Sequence, residues 1–254
     1  MVVVKSVSRH ADVASATSEL HMESGQIIRY VAPMTLDCAE MNEHQQVVML
    51  AQEKRLLFGD VSEEAEKWAG VSDLCQAMDH IVEIEKETEL FKGKRILEVG
   101  FCTGLPSVYA LEHGAVEATL VCTDNDALNN YIKPTIRKNN VGKLVNYITC
   151  DIEQLREKFE TNKFDIILAP ELVNTKPEYF EQMHDMLKLA LAHNGMIFFS
   201  GRTHYNSCDG SMSAMLDLMK SKKCFDIMER STFNNSVRNE TAPRKVVQLM
   251  HKMC

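Results

Sequence analysis

The sequence holds no Cys-x-x-Cys pair. Its eight cysteines (Cys38, Cys75, Cys102, Cys122, Cys150, Cys208, Cys224 and Cys254) are irregularly scattered. That spacing argues against a zinc site, and the placement of Cys122 and Cys150 inside apolar runs fits reduced thiols in an intracellular protein. No run approaches the roughly 18 apolar residues that a membrane helix needs. The start, MVVVKSVSRHADVAS, places charges where a signal peptide carries its apolar core. The expectation is a soluble, non-secreted chain of the cytoplasm or nucleus that needs no membrane. A block of Lys and Arg is also missing. With 28 basic against 36 acidic residues the formal net charge is -8, which favours a small molecule or a basic protein over nucleic acid as partner. There is one Trp and no internal repeat.

What is present is an ordinary globular composition, 45% hydrophobic and 25% charged, in a length suited to one α/β core. Residues 1–60 read as an N-terminal extension and 61–254 as the catalytic-type domain. In the extension, 1–25 are polar and without period and read as a flexible tail, 26–32 (QIIRYVA) as a strand, and 37–57 as an accessory helix. Ser62 with Glu63, Glu64 and Glu66 looks like a capped helix start, and a second helix is expected to begin at Ser72. From Lys94 onward short apolar runs recur at 95–99, 118–123, 145–150, 164–169, 196–200, 225–230 and 246–251. Helical stretches at 105–113, 126–139, 178–193 and 211–221 lie between them, with a brief helix at 152–161. Such alternation predicts βα units and a mostly parallel sheet. The last two runs are joined by a loop alone, so an antiparallel pair is expected at the edge. Five βα units and a closing hairpin make the strand count of the class I methyltransferase fold: seven strands, Rossmann-like, with the ligand beyond the strands' carboxyl ends.

The residues after each run are therefore the candidates. The first run ends in Glu98-Val99-Gly100-Phe101-Cys102-Thr103-Gly104-Leu105-Pro106, a strand, a glycine loop and a helix start. Glycine permits close approach of the backbone, and the helix N-terminus is expected to offer unpaired N–H groups to a ligand carboxylate. The stretch is similar to the methyltransferase signature acidic-x-Gly-x-Gly-x-Gly, with Glu98, Gly100 and Gly104 in place and Cys102 at the middle glycine. A nicotinamide fingerprint requires Gly-x-Gly-x-x-Gly, which is not found here. The second run ends in Thr123-Asp124-Asn125-Asp126. Asp124 is placed to accept hydrogen bonds from ribose hydroxyls, and Asp126 to cap the next helix. The third ends in Cys150-Asp151-Ile152, where Asp151 either reads an adenine amine or caps a helix. The fourth ends in Pro170-Glu171-Leu172-Val173-Asn174, at the methyl-donor edge. The fifth is followed by Arg202-Thr203-His204-Tyr205.

Together these residues resemble the histidine protein methyltransferase family, over about residues 93–252. The most specific stretches are FDIILAPELVNTKPEYF, where Glu171, Pro177, Glu178 and Tyr179 match, and NGMIFFSGRTHYNSCDGS, where Ser200, His204 and Tyr205 match. The chain is read as a diverged member. The family's Tyr-Glu-Gly-Gly-x-Lys-x-Trp-Glu segment falls near 67–75, where Gly70 alone matches and Trp68 stands out of register. The resemblance implies an S-adenosylmethionine-dependent transfer of methyl to a protein histidine, with a ribosomal-protein type substrate. It implies Glu98, Gly100, Gly104, Thr123, Asp124, Asn125, Cys150, Asp151, Ile152 and Pro170 as the cofactor set. Glu171 or Asn174 would fix the imidazole tautomer, and His204 and Tyr205 would shape the acceptor channel of a monomeric enzyme. A neutral imidazole needs no strong base, whereas lysine must first lose a proton. The competing readings are an inactive methyltransferase-fold binding protein and a methyltransferase for protein lysine or a small molecule.

Overall fold

The computed structural model describes residues 15–33, 60–149, 152–161, 163–205, 208–233 and 242–252, and all statements here concern those residues. Each apolar run of the second half becomes a strand: β3 (Arg95–Glu98), β4 (Glu117–Val121), β5 (Val145–Ile148), β6 (Phe164–Pro170), β7 (Leu191–Arg202), β8 (Phe225–Phe233) and β9 (Arg244–His251). They form one sheet in the order β5-β4-β3-β6-β7-β9-β8. The first five are parallel neighbours, while β9 runs antiparallel to both β7 and β8. This is the seven-stranded class I methyltransferase arrangement expected from the sequence. The order reverses at β3: the next strand in the chain lies on one side and β6 on the other, so the crevice opens at the carboxyl ends of β3, β4 and β6.

Alternation along the strands builds two cores. Ile96, Leu120, Ile166, Leu168 and Phe198 face one side of the sheet; Leu97, Val121, Ile167, Phe199 and Leu249 face the other. All are buried, and each such side chain contributes about 1.5–3 kcal/mol relative to exposure. The first side is covered by α1 (Asp60–Asp79) and α2 (Leu105–Glu112), and by α3 (Lys133–Lys138) behind a short helical turn and a π turn. The second is covered by α4 (Ile152–Thr161), α5 (Phe180–Ala190) and α6 (Met212–Lys222).

Several boundaries differ from the sequence reading. Residues Ser15–His21 are not a tail: they form β1, paired antiparallel with β2 (Ile27–Pro33). This hairpin buries Ile28 in the first core. It is held by Val31 N donating to Thr135 Oγ1 (3.0 Å) and by Ser24 N and Oγ donating to Asp79 (2.9 and 2.7 Å). Ser72 begins no second helix, because α1 is continuous through it and ends in a π turn at His80–Ile84. The helix expected over 178–193 stops at Ala190, where Leu191 turns extended and pairs with Phe164. The accessory helix expected over 37–57 lies outside the described residues.

Candidate functional site

Glu98, the last residue of β3, is fully buried and its carboxylate organises the loop after it. Oε1 accepts from the backbone N of Thr103 (2.9 Å) and Gly104 (2.8 Å). Oε2 accepts from Ser107 N (3.1 Å) and Oγ (2.6 Å). This corrects two expectations. The N–H groups at the start of α2 are not left for a ligand, because a side chain of the chain itself satisfies them, and Glu98 holds the loop without facing a cavity. Gly100 and Gly104 both have positive φ, 91° and 82°. A Cβ on Gly100 would lie 2.4 Å from Pro170 O, the carbonyl that Phe101 N donates to at 2.8 Å. The loop is thereby pressed onto the end of β6, and only glycine fits at Gly100.

Two cavities open over this loop and meet at Gly100, Phe101, Val121 and Thr123. The first, about 220 Å³, also includes Cys102, Cys122, Asp124 and Trp68 in its wall. Asp124 Oδ1 accepts from Asp126 N at 2.8 Å, so Asp124 caps the following turn and Asp126 does not. Trp68, on α1, stacks on Tyr30 of the hairpin at 5.3 Å and meets Phe101 edge-on at 5.7 Å. Its indole N–H has no hydrogen-bond partner among the described residues. The sequence reading placed Trp68 out of register; the helix delivers it to the cavity wall. The second cavity, about 340 Å³, is lined by Lys67, Leu155, Leu172, Asn174, Thr175 and the segment at Glu171.

Glu171 has φ of 53°, a left-handed conformation that is costly for a residue with a side chain. Its side chain is buried. Arg244 Nε donates to Oε1 at 2.8 Å and Tyr205 Oη to Oε2 at 2.6 Å. Arg244 also pairs with Asp73 at 2.8 Å, and a Cβ on Gly70 would overlap the Glu171 carboxylate. Burial pushes the Glu171 carboxyl up to about 7, against the pull of Arg244, which it shares with Asp73. Burial and the neighbouring Glu171 hold the Tyr205 hydroxyl well above its ordinary range. Each oxygen of this carboxylate is thus already bonded inside the protein, to Arg244 on one side and Tyr205 on the other. Glu171 therefore positions the turn, and Asn174, whose N donates to Glu171 O at 3.0 Å, is the amide side chain that this segment places at the cavity. Asn174 Nδ2 is buried without a partner among the described residues, and Oδ1 accepts from Cys208 Sγ at 3.5 Å. Tyr205 is buried behind Glu171 and His204 is exposed, so neither is among the residues that form these cavity walls.

Of the remaining predicted residues, Thr123 and Asp124 face the first cavity, Asn125 begins the exposed turn after them, and Pro170 acts through its carbonyl. Cys150 and Asp151 lie outside the described residues. Ile152 opens α4, and nothing is described of its side chain. Sequence reasoning missed Arg244, Asp73 and the cavity role of Trp68 and Lys67. Lys67, Trp68 and Asp73 lie in the 67–75 stretch that the resemblance marks but where only Gly70 matches, and Arg244 comes from β9 with no motif to mark it.

The residues fit a sulfonium nucleoside: a close-approach glycine, an acid after the second strand of the parallel sheet with one oxygen committed to a cap, and two joined cavities. A family model described as lysine methyltransferase matches residues 64–218. The chain is 36% identical over 253 residues to an uncharacterized protein of Caenorhabditis elegans, F22B7.9, covering 99% of this chain and 100% of that one. It is 25% identical over 164 residues to the histidine protein methyltransferase 1 homolog of Dictyostelium discoideum, covering 63% of this chain and 51% of that one. Among solved structures, a proposed rRNA methylase from Clostridium thermocellum superposes with a TM-score of 0.51 at 12% identity, over 67% of this chain and 96% of that one. That likeness concerns the fold alone.

Proposed function

The chain belongs to the lysine methyltransferase family, whose members are S-adenosylmethionine-dependent, and from that premise we propose that it methylates a histidine side chain of a protein. When bound, the cofactor supplies an electrophilic methyl group on a positively charged sulfur. Asp124 would accept hydrogen bonds from the ribose hydroxyls. Backbone carbonyls between Gly100 and Thr103 would accept from the ammonium of the amino-acid end, the N–H groups of Phe101, Cys102 and Thr103 being already paired, with Trp68 walling that side. The 151–152 segment would take the adenine.

One observation carries the choice of acceptor. Among the described residues, the second cavity has a single acid at its wall, Glu171, and that carboxylate is sequestered by Arg244 and Tyr205. A lysine acceptor must shed a proton from a group of pKa about 10.4, and a general base in reach must take it. A neutral imidazole already has its lone pair at pH 7 and needs only its tautomer fixed. Asn174 suits that task. Its Nδ2 is buried with no partner among the described residues, and rotation of the amide toward the cavity would offer Oδ1 to the ring N–H. The Dictyostelium relative, a histidine protein methyltransferase 1 homolog by name, supports the same acceptor. We further propose a protein substrate of ribosomal type, met by a monomer in the cytoplasm or nucleus without nucleic acid or membrane.

The test is transfer of labelled methyl from S-adenosylmethionine into lysate proteins, followed by acid hydrolysis. Label in methylhistidine is the expected result, and label in methyllysine would replace the acceptor assignment. Cofactor binding without any transfer would leave a binding protein. Asn174→Ala is expected to lower kcat by about 10- to 100-fold while the cofactor Kd stays nearly constant.

A further inference from the structure

The sulfur atoms of Cys102 and Cys122 touch inside the first cavity. Their separation is 3.8 Å, and both side chains belong to the wall that also contains Gly100 and Asp124. Neither is in a disulfide. A disulfide needs about 2.05 Å between sulfurs, so the two must close by roughly 1.8 Å. The surroundings decide which one moves. Cys122 is anchored at the end of β4 by its N donating to Ile148 O at 2.9 Å, and it is buried. Cys102 sits half-buried in a loop whose backbone is held by Phe101 N on Pro170 O and by Thr103 N and Gly104 N on Glu98, so its side chain is the part left to swing. Closure thus draws the Cys102 side chain toward β4, into the space between the glycine turn and Asp124.

We propose that Cys102 and Cys122 form an oxidative modification site, in which a hydroperoxide converts the two thiols to a disulfide that closes the cofactor cavity. The consequence for binding rests on the cofactor reading given above; the coupling of the thiols does not. The step balances. One thiolate attacks a peroxide oxygen, the O–O bond breaks, hydroxide leaves, and a sulfenic acid forms. The second sulfur displaces that hydroxyl as water and loses its proton, so two thiols and one hydrogen peroxide give one disulfide and two waters. Burial, the contact with Cys122 and the nearby Glu98 all push the Cys102 thiol well above its ordinary range. The thiolate is therefore scarce at neutral pH, and coupling accelerates as pH rises.

The experiment uses full-length protein, reduced and then treated with hydrogen peroxide at several pH values, with and without S-adenosylhomocysteine. Peptide mass spectrometry reads the Cys102–Cys122 link, and titration with S-adenosylhomocysteine reads the cavity. The expected result is a linked peptide pair that forms faster at higher pH and more slowly with ligand present. The linked protein should bind about tenfold or more weakly, with recovery on adding a dithiol reductant. Cys102→Ser and Cys122→Ser, each compared with itself before and after peroxide, should show no oxidant-dependent change. Absence of the link at every pH, or a link that leaves the affinity unchanged, overturns the proposal. Reduced protein that binds no S-adenosylhomocysteine overturns the cofactor reading and the gating together, while the mass measurement still decides whether the thiols couple.

Discussion

Glu171 carries more constraint than any other single residue of the site. Its backbone is left-handed, its side chain is buried, and its carboxyl is pushed up to about 7. The sign of the resulting pH dependence follows. The folded value lies above the unfolded one, so the folded chain binds the extra proton between about pH 4.5 and pH 7. The contribution to stability is complete below that window and is lost as pH rises through it. Thermal melts between pH 5 and pH 8 should show a downward slope of at most about 1.4 kcal/mol per pH unit from this group, and Glu171→Gln should flatten it. The sequence pointed to Glu171 because a carboxylate follows the fourth run of the parallel series. It could not show that Arg244 and Tyr205 consume both oxygens, since those partners are set by tertiary packing. Glu98 was misread for a similar reason. The motif marks an acid beside the glycine loop, but whether it binds a ligand or the loop itself depends on where four N–H and O–H groups point.

Among the elements, α1 and the β1–β2 hairpin complete the site from the N-terminal side. Asp79, at the end of α1, is buried and accepts hydrogen bonds from Ser24 N, Ser24 Oγ and Tyr109 Oη. Asp79→Ala leaves those donors without their acceptor and should cost about 1–3 kcal/mol. Amide exchange in 15–33 should quicken more than exchange in β6 or β7, as hydrogen-exchange mass spectrometry would show. The inner strands β3, β4 and β6 were legible from their apolar runs to within two residues, because strands buried on both faces leave a continuous signature, whereas β7 begins five residues before its run. Ser15–His21 was not legible. SATSELH carries few large apolar residues, and its strand state comes from pairing with β2. α1 was read as two helices because Ser72 imitates a cap; in the structure it is an interior position of a long helix whose Val71, Leu74, Cys75 and Met78 are buried.

Across the whole molecule, one ion network joins parts of the chain that are remote in sequence: Asp73 of α1, Glu171 after β6, and Arg244 of β9, which lies 171 positions beyond Asp73. Arg244→Met strands two buried or half-buried carboxylates and should destabilise the fold by about 3–5 kcal/mol in chemical denaturation. Asp73→Asn in the same background should return part of that loss, because it removes one of the stranded charges. No local motif announces this network, which is why the glycine loop and Asp124 were found from sequence and Arg244 was not. The stack of Tyr30, Trp68 and Phe101 has a practical outcome of its own. With one indole in the entire chain, ultraviolet emission from this protein is a single-site optical signal. It comes from the junction of the hairpin, α1 and the glycine loop, so a spectral change reports whatever enters that junction or pulls it apart, with no added label.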